Sequence, residues 1–498
     1  MIPVVDVATM RASDLATIKR GTSGRELMLR AGNGILQSYL WQGCTAIVCG
    51  SGNNAGDGFV LAMLMAERDM SCEIILLSNR FSEDGKYYFE KCRDLNVPVL
   101  NMGEGIDFSK YGQIVDCIFG TGFSGVISQE IAKVIEQINQ SGKPVISADI
   151  NSGLHGDSGM GECCVRSELT VAIGSYKTGH FIGQAKDVIG RLTCVDIGIK
   201  VPQEHILVPE QEDLAPLFAP RAQNSHKGNY GYVAVMGGCV EYSGAAKLAN
   251  MSASALRAGC GVVTLAVPRA IAESVSPYLL ESTLLPIPSD ETGHMQFCPE
   301  VLDSLLSRYA AIAVGMGWGS GAANAEILAY LLQNGKSPLI IDADGLNTLA
   351  NMNLDLLKSS TCKIILTPHL KEFERLCGLP IGEIQKDPVA HAEAFAKEYG
   401  VCLLLKGCCT VVTDGNVTYL CNRGCAGMAT AGSGDVLSGI LAGLCGYLPP
   451  NALTVAAGAY LAGRAGELAE QSQNAISMVA SDTVRHIAAA VSELFHHQ

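Results

Sequence analysis

The stretch Gly427-Met-Ala-Thr-Ala-Gly-Ser-Gly-Asp-Val-Leu-Ser-Gly-Ile-Leu-Ala-Gly-Leu444 constrains the chain most. Four small residues, Ala431 to Gly434, precede Asp435, and an apolar run follows. Val436, Leu437, Ile440, Leu441 and Leu444 share one face at 3.6-residue spacing, which predicts a buried helix. A glycine-rich turn opening a helix presents unpaired N–H groups and the positive end of the helix dipole, a place to hold a phosphate. Asp435 then falls on the first turn, where a carboxylate beside an anion site suggests a general base aimed at a hydroxyl. The competing reading is a simple first-turn cap.

At 498 residues the chain exceeds what one core normally serves, so two or three domains are expected. Hydrophobic residues make up 48% and charged residues 17%, the composition of folded, core-rich domains. The net charge of −14 and the lack of a basic run argue against nucleic acid and anionic membrane as partners. The N-terminus has no apolar signal core. The longest apolar run, Val436 to Leu448, holds three glycines and a serine and is too short to span a bilayer. A soluble intracellular protein is expected. Its 19 cysteines are scattered without a CxxC, so most should be small buried hydrophobes, and their spacing predicts no zinc site.

In the first half, residues 14–40 carry an apolar stripe that predicts two helices. The segment Thr45 to Gly58 then reads as a strand running into glycine turns, followed by a helix from Phe59 to Arg68 and a strand from Glu73 to Leu77, a βαβ unit. Gly50-Ser-Gly begins like a dinucleotide fingerprint, but the sixth position is Ala55. Asn53, Asn54 and Asp57 among glycines make a polar nest instead. Asp116 interrupts the apolar strand that leads to Gly120, and its carboxylate must be paired, coordinated or bonded to a nearby turn. Another strand ends in Asp149-Ile-Asn-Ser152, and Gly174-Ser-Tyr-Lys177 closes one more. Ligands of open parallel sheets bind at such carboxyl ends, so Asn54, Asp116, Asp149 and Ser152 are expected to converge.

These motifs, with Leu27-Met28-xx-Ala31-Gly32, resemble the NAD(P)H-hydrate epimerase domain. The resemblance implies a K⁺ ion held by Asn54, Asp116 and Ser152, with Asp116 also the proton-transfer carboxylate. It implies a substrate lining of Asn53, Asn54, Ala55, Gly56 and Asp57, of Gly120, Thr121, Gly122, Phe123, Ser124, Gly125 and Val126, and of Asp149. Ala55 stands where a glycine is usual and Asn151 where a proline is usual.

The second half repeats the α/β pattern after a Pro/Glu/Ala-rich linker. The long helix expected from Ser243 to Gly259 carries Ala245, Ala249, Ala253 and Ala255 at helical spacing. Strands then end at Gly315, at Asp342 and Asp344, at His369 and Glu372, and at Lys406. Each end alone could be ordinary solvation, but the series leads into the Gly-Ser-Gly-Asp helix. A Walker A loop is absent, since Tyr330 stands where Gly335-Lys336-Ser337 would need its first glycine. The set His-Lys-Gly-x-x-Gly, Asp-Ala-Asp-x-Leu-Asn, Thr-Pro-His-x-x-Glu, Lys-Gly-x-x-Thr and Gly-Met-Ala-Thr-x-Gly-Ser-Gly-Asp resembles the ADP-dependent NAD(P)H-hydrate dehydratases of the ribokinase-like superfamily. That implies hydrate contacts from Ala253, Gly315, His369 and the catalytic Asp435. It also implies a nucleotide held by Lys406, Gly407, Cys408, Cys409, Thr410 and Gly434. Met316, Cys425-Ala426 and Ala431 depart from the usual residues.

The expected fold is therefore α/β in two domains, an N-terminal Rossmann-like three-layer domain over 1–210 and a C-terminal ribokinase-like domain over 225–498, with 211–224 as linker. The implied reaction is repair of NADH and NADPH hydrates: one domain interconverts R and S epimers, and the other dehydrates the S epimer with ADP or ATP and Mg²⁺. A cytoplasmic homo-oligomer is implied as well. The rival readings are a ribokinase-like small-molecule kinase and a nucleotide-binding protein that has lost its epimerase chemistry.

Overall fold

The computed structural model describes residues 1–102, 106–202, 205–253 and 258–495. The chain divides into two compact units, Pro3–Glu204 and His205–Gln498, the second also containing Met1–Ile2.

In the first unit the strands lie in the order Val99–Asn101, Cys72–Leu76, Thr45–Cys49, Gln113–Cys117, Val145–Ala148, Ser167–Ile173, Ile189–Val195, all parallel. Alternation along the strands gives two apolar faces. Ile47, Cys49, Val115 and Cys117 join the core under the helices Gly24–Gln37 and Asn53–Ala66. Ala46, Val48 and Ile114 pack with Val134, Ile135 and Ile138 of the helix Gln129–Gln140. Three layers result, and both sheet faces being covered explains why the strands read as unbroken apolar runs.

Two boundaries differ from expectation. The first helix spans Val7–Lys19, started by the Asp6 side chain accepting from the Thr9 N–H, a cap that lies ahead of the apolar stripe. The third helix begins at Asn53, not Phe59. The polar nest is thus a first helical turn, which Gly52 permits by taking φ 120°.

In the second unit the order is Thr283–Ile287, Val262–Pro268, Tyr232–Met236, Ala311–Val314, Leu339–Ile341, Ile364–Leu366, Cys402–Leu405, Thr410–Thr413, Thr418–Cys421, Ile206–Val208. The strands run parallel as far as Cys402–Leu405, and an antiparallel hairpin follows. The apolar helices Ser433–Cys445 and Ala452–Ser472 enter the main core, where Ile440, Leu441, Leu444, Val455 and Leu461 are fully buried. The small-residue helix runs Ser243–Ala253 and packs on Ser433–Cys445; Ala255, expected on it, lies outside the described residues.

This unit takes in residues 205–210, expected at the end of the first domain, and the start of the expected linker. Ile206 and Leu207 pair in parallel with Thr418 and Tyr419, Gln211 donates to the Glu493 carbonyl at 2.6 Å, and Leu214 and Phe218 are buried. Those four apolar side chains find a covered face, which a composition rich in Pro and Glu obscured. Residues 219–226 have neither helix nor strand and are exposed.

Candidate active sites

In the first unit, Gly50 must be glycine because a Cβ would meet the Ile118 carbonyl oxygen at 2.1 Å. That close crossing sets Asn53 to Asp57 against the ends of the neighbouring strands. The side-chain amide of Asn54 is buried, and neither its oxygen nor its nitrogen has a hydrogen-bond partner. An orphaned polar pair is costly unless something else fills its valence. Asp116 is fully buried. Its carboxylate accepts from the Ser152 hydroxyl at 2.5 Å, the Ser152 N–H at 2.8 Å, the Ser147 hydroxyl at 2.9 Å and the Ile118 N–H at 3.2 Å. Burial pushes its pKa up against these four donors. Of the readings left open for this aspartate, the bond to the local turn is present, through the Ile118 N–H, and Ser147 and Ser152 add donors from the neighbouring strand end.

Asp149 holds a left-handed backbone, φ 64°, and its carboxylate receives Lys177 Nζ at 2.6 Å and the Thr121 N–H and hydroxyl at 3.0 and 2.9 Å. Burial opposes its charge, but the Lys177 ammonium and the Thr121 N–H bring the carboxyl down to about 2. Burial and the Lys177 charge bring neighbouring His180 down to about 4, a neutral imidazole. Its Nδ1 accepts the Lys177 N–H, so Nε2 carries the proton and donates to the Asp149 carbonyl at 2.8 Å. Asp57 is pushed well above the ordinary carboxylate range by burial and by the charge of Asp149.

A cleft of about 670 Å³ collects these groups. Asn53, Asn54, Asp57, Asp149 and the run Gly120 to Ser124 line it. Asp116 and Ser152 lie beneath its wall, fully buried, and Val126 is 91% exposed away from the lining. Ala55 and Gly56 face the core, with Ala55 fully buried and a Gly56 Cβ blocked by Met28 at 2.5 Å. The cleft also draws on Phe119, which follows Asp116 in the strand-end motif, and on Arg11 and Asp14, which no motif marked; the Asp6 cap was the available signal for these two. Phe119 stacks on Phe123 with ring centroids 4.3 Å apart. The Asn151 departure is a structural node: its amide donates to the Val165 and Val188 carbonyls at 2.9 Å and accepts from the Thr170 hydroxyl at 2.5 Å.

In the second unit the strand ends meet at Lys406. Its ammonium lies 2.9 Å from Asp342 Oδ1 and 3.7 Å from Glu372 Oε2, while the Ser438 hydroxyl donates to Asp342 Oδ2 at 2.7 Å. Burial works against both charges, yet their mutual attraction keeps Asp342 below and Lys406 above the ordinary value. The helix Ser433–Cys445 begins after Gly432 at φ 94°, and Gly434 lies over the pair: a Cβ there would stand 3.4 Å from Lys406 Nζ and 3.6 Å from Asp342 Oδ2. Asp435 follows on the first turn. Burial and the Asp342 charge raise it to about 7, with Lys406 pulling the other way. Ala431 is exposed and the left-handed residue of the turn is Gly432, so the extra methyl falls outside the turn's tight point.

His369 caps its helix, Nδ1 accepting the Lys371 and Glu372 N–H groups at 3.1 Å, and its side chain is half-exposed with Nε2 3.5 Å from Glu372 Oε1. Gly315 takes φ 109° with Asp342 directly behind it. Gly407, exposed Cys408, buried Cys409 and Thr410 follow Lys406 into the hairpin. Ala253 is not brought here. It is fully buried against Gly443, eight residues along the helix from Asp435, about 12 Å at the usual rise. Ala245, whose methyl approaches Gly317, is the small residue of that helix next to the glycine loop.

Residues 24–179 match the family model described as the YjeF-related protein N-terminus, and residues 233–489 match the NAD(P)H-hydrate dehydratase model. The bifunctional NAD(P)H-hydrate repair enzyme Nnr of Moorella thermoacetica is 36% identical over 88% of this chain and 85% of its own length. The enzyme of that name from Coxiella burnetii is 31% identical over 97% and 98%. A ribokinase-like superfamily protein from Enterococcus faecalis superposes with a TM-score of 0.51 at 22% identity, covering 59% of this chain and 98% of its own, a likeness of fold. No helix among the described residues is long and apolar enough to cross a membrane. With both family models matched in order and relatives aligned over nearly its whole length, the chain belongs to the bifunctional NAD(P)H-hydrate repair enzymes.

Proposed function

We propose that the first unit interconverts the R and S hydrates of NADH and NADPH and that the second dehydrates the S hydrate with ADP, or ATP, as phosphoryl donor. The observation that carries this reading is Asp435, a carboxylate near neutral pKa on a glycine-rich helix start above the Lys406–Asp342 pair.

Hydroxide is a poor leaving group, so the ring hydroxyl has to be phosphorylated before the ring nitrogen can expel it. Asp435 takes the hydroxyl proton, a task suited to a base poised near 7. The N–H groups after Gly432, with Lys406, stabilise charge on the transferring phosphoryl group. Lys406, Gly407, Cys408, Cys409, Thr410 and Gly434 hold the nucleotide, and Mg²⁺ accompanying it offsets phosphate charge. His369 and Gly315 contact the hydrate.

In the first unit the hydrate occupies the cleft lined by Asn53, Asp57, Asp149 and the Gly120 to Ser124 run. The unpartnered Asn54 amide, with the oxygens of Asp116 and Ser152, suits a monovalent cation. K⁺ held by these three residues would supply fixed positive charge to the cleft. Asp116, raised by burial, accepts and returns the proton that lets the hydroxyl-bearing carbon invert. Lys177 and Thr121 hold Asp149 ionised and oriented toward the cleft. A reducing cytoplasm suits the 19 cysteines, none of which is in a disulfide, and a homo-oligomer is the proposed assembly.

The test is regeneration of NAD(P)H absorbance from a mixed-epimer hydrate with ADP and Mg²⁺. Wild type should convert all the hydrate, Asp435→Asn none, and Asp116→Asn should stall with one epimer left. Consumption of nucleotide without recovered absorbance would favour a small-molecule kinase.

A further inference from the structure

The loop after the strand Tyr232–Met236 carries Cys239 and Glu241, and a turn fifty-odd residues later carries His294. Sequence spacing gives no hint of a metal site here, but the fold brings their ligating atoms within 4.8 Å of one another. His294 Nε2 stands 3.9 Å from Glu241 Oε2, and the Cys239 sulfur lies within 4.8 Å of both. Zinc bonds of about 2.0–2.3 Å in a tetrahedron put ligand atoms about 3.3–3.7 Å apart, so closing on an ion takes an approach of at most about 1.5 Å between any two of them.

The surroundings are those of a built site. The ring of His294 is fixed from behind, with Nδ1 paired to the Thr292 hydroxyl at 2.9 Å. That hydroxyl donates on to Asp290 Oδ1 at 2.7 Å, which leaves Nδ1 as the donor to Thr292 and Nε2 as a free lone pair. Asp290 also accepts the His294 N–H at 3.0 Å, so the turn and the ring are held by one carboxylate. A histidine oriented through its second nitrogen is the arrangement that metal ligands require. Gly319 borders the space: a Cβ there would lie 2.9 Å from His294 Nε2 and 3.1 Å from Cys239 Sγ. Cys239 and His294 are buried, while the Glu241 side chain is 57% exposed and leaves a way in for an ion.

We propose that Cys239, Glu241 and His294 bind one Zn²⁺, or a cation of similar softness, with water as fourth ligand. The thiol proton is released to solvent on binding. Thiolate with imidazole selects a borderline-soft cation over Mg²⁺, so this site is separate from the magnesium that accompanies nucleotide. Gly319 connects it to the dehydratase centre, its N–H donating to Asp344 Oδ2 at 2.8 Å. Zinc would thus clamp the loop carrying Cys239 and Glu241 against the Ser289–Met295 turn, with Gly319 beside it.

The experiment is Zn²⁺ titration of the reduced full-length protein against a chromophoric chelator. Wild type should bind one more equivalent of zinc than either Cys239→Ser or His294→Gln. Exposed Cys408→Ser should match wild type. Thr292→Val should keep the stoichiometry and weaken binding by about 10- to 100-fold. Glu241→Gln, at a solvent-facing side chain that cannot unfold the chain, should weaken it by at least about tenfold. Loading with Co²⁺ should give a thiolate charge-transfer band that survives Cys408→Ser and vanishes in Cys239→Ser. Equal zinc affinity and stoichiometry in wild type, Glu241→Gln and His294→Gln would overturn the site.

Discussion

Lys177 Nζ stands 2.6 Å from Asp149 Oδ1, a buried ion pair whose lysine is only 1% exposed and whose aspartate keeps a left-handed backbone. Only a surrounding that over-determines it would keep a non-glycine residue at φ 64°. Lys177→Met leaves the Asp149 charge uncompensated and should cost about 3–5 kcal/mol. The wild-type carboxyl sits near 2, below its ordinary value, so its contribution to stability is full above the unfolded pKa and is lost as pH falls toward 2. Urea unfolding should therefore show a large Lys177→Met deficit at neutral pH that narrows in acid. An equal deficit at both would remove the ion pair as its cause.

His180 is lowered to about 4 by burial and by the Lys177 charge. Its neutral form is favoured by the fold, so this residue's contribution is present above the unfolded value of about 6.5 and is lost as pH falls toward 4. NMR of the imidazole should show the Nε2–H tautomer and no titration between about pH 5 and 8. A midpoint near 6.5 would mean that the ring is not held by Asp149 and Lys177 as described.

Ser152 gives Asp116 both a hydroxyl and an N–H. Ser152→Ala strips one donor from a buried carboxylate and should cost about 1–3 kcal/mol. Asn54→Ala should behave differently, because its amide has no partner to lose. We expect little change in melting temperature without K⁺, and loss of the upward shift that K⁺, but not Na⁺, gives wild type. A strong destabilisation of Asn54→Ala without K⁺ would count against a cation role.

The glycine turns, the strand-end acids and the two α/β series were legible because each follows from short-range rules: where backbone crosses backbone, and which residues end an apolar run. Gly50, Gly434 and Asp435 stand where those rules put them. Partners that meet only through the sheet order were not legible. Asp342 and Ser438 are 96 positions apart and bond at 2.7 Å. Cys239 and His294 converge through a turn with no spacing signal. Ala253, a hydrate contact by resemblance alone, lies against Gly443, while Ala245 of the same helix is the residue beside the Gly317 turn, a difference that helical spacing does not resolve. The segment from 206 to 218 was hidden because its few apolar residues become a face only when Thr418–Cys421 is there to receive them.

Asp435, raised to about 7, must be ionised to take a proton, so dehydration should fall as pH drops below about 7, with the unit slope of a single titrating group. Lys406 pulls this pKa down, and Lys406→Met should move the acid limb upward in addition to weakening nucleotide binding. Asp435→Asn should lose about 10²- to 10⁴-fold in kcat with nucleotide affinity kept. If nucleotide affinity is all that Asp435→Asn loses, the residue is a cap and not the base.

Gly434→Ala separates anion binding from folding. The added Cβ would sit at ordinary contact distance, 3.4 Å from Lys406 Nζ and 3.6 Å from Asp342 Oδ2, and Gly434 lies inside a helix where alanine is favoured. The variant should therefore fold with equal or slightly higher melting temperature. Yet its methyl would occupy the space above Lys406 where a phosphate has to approach the helix start, and the KM for ADP should rise by about tenfold or more, 1.4 kcal/mol or so of lost contact. Gly432→Ala provides the contrast: its residue is left-handed at φ 94° and its Cβ would meet the Leu248 side chain at 2.5 Å, so it should lose stability first. A Gly434→Ala enzyme with unchanged KM and kcat would show that phosphate does not sit over Lys406 and that the glycines serve the turn alone.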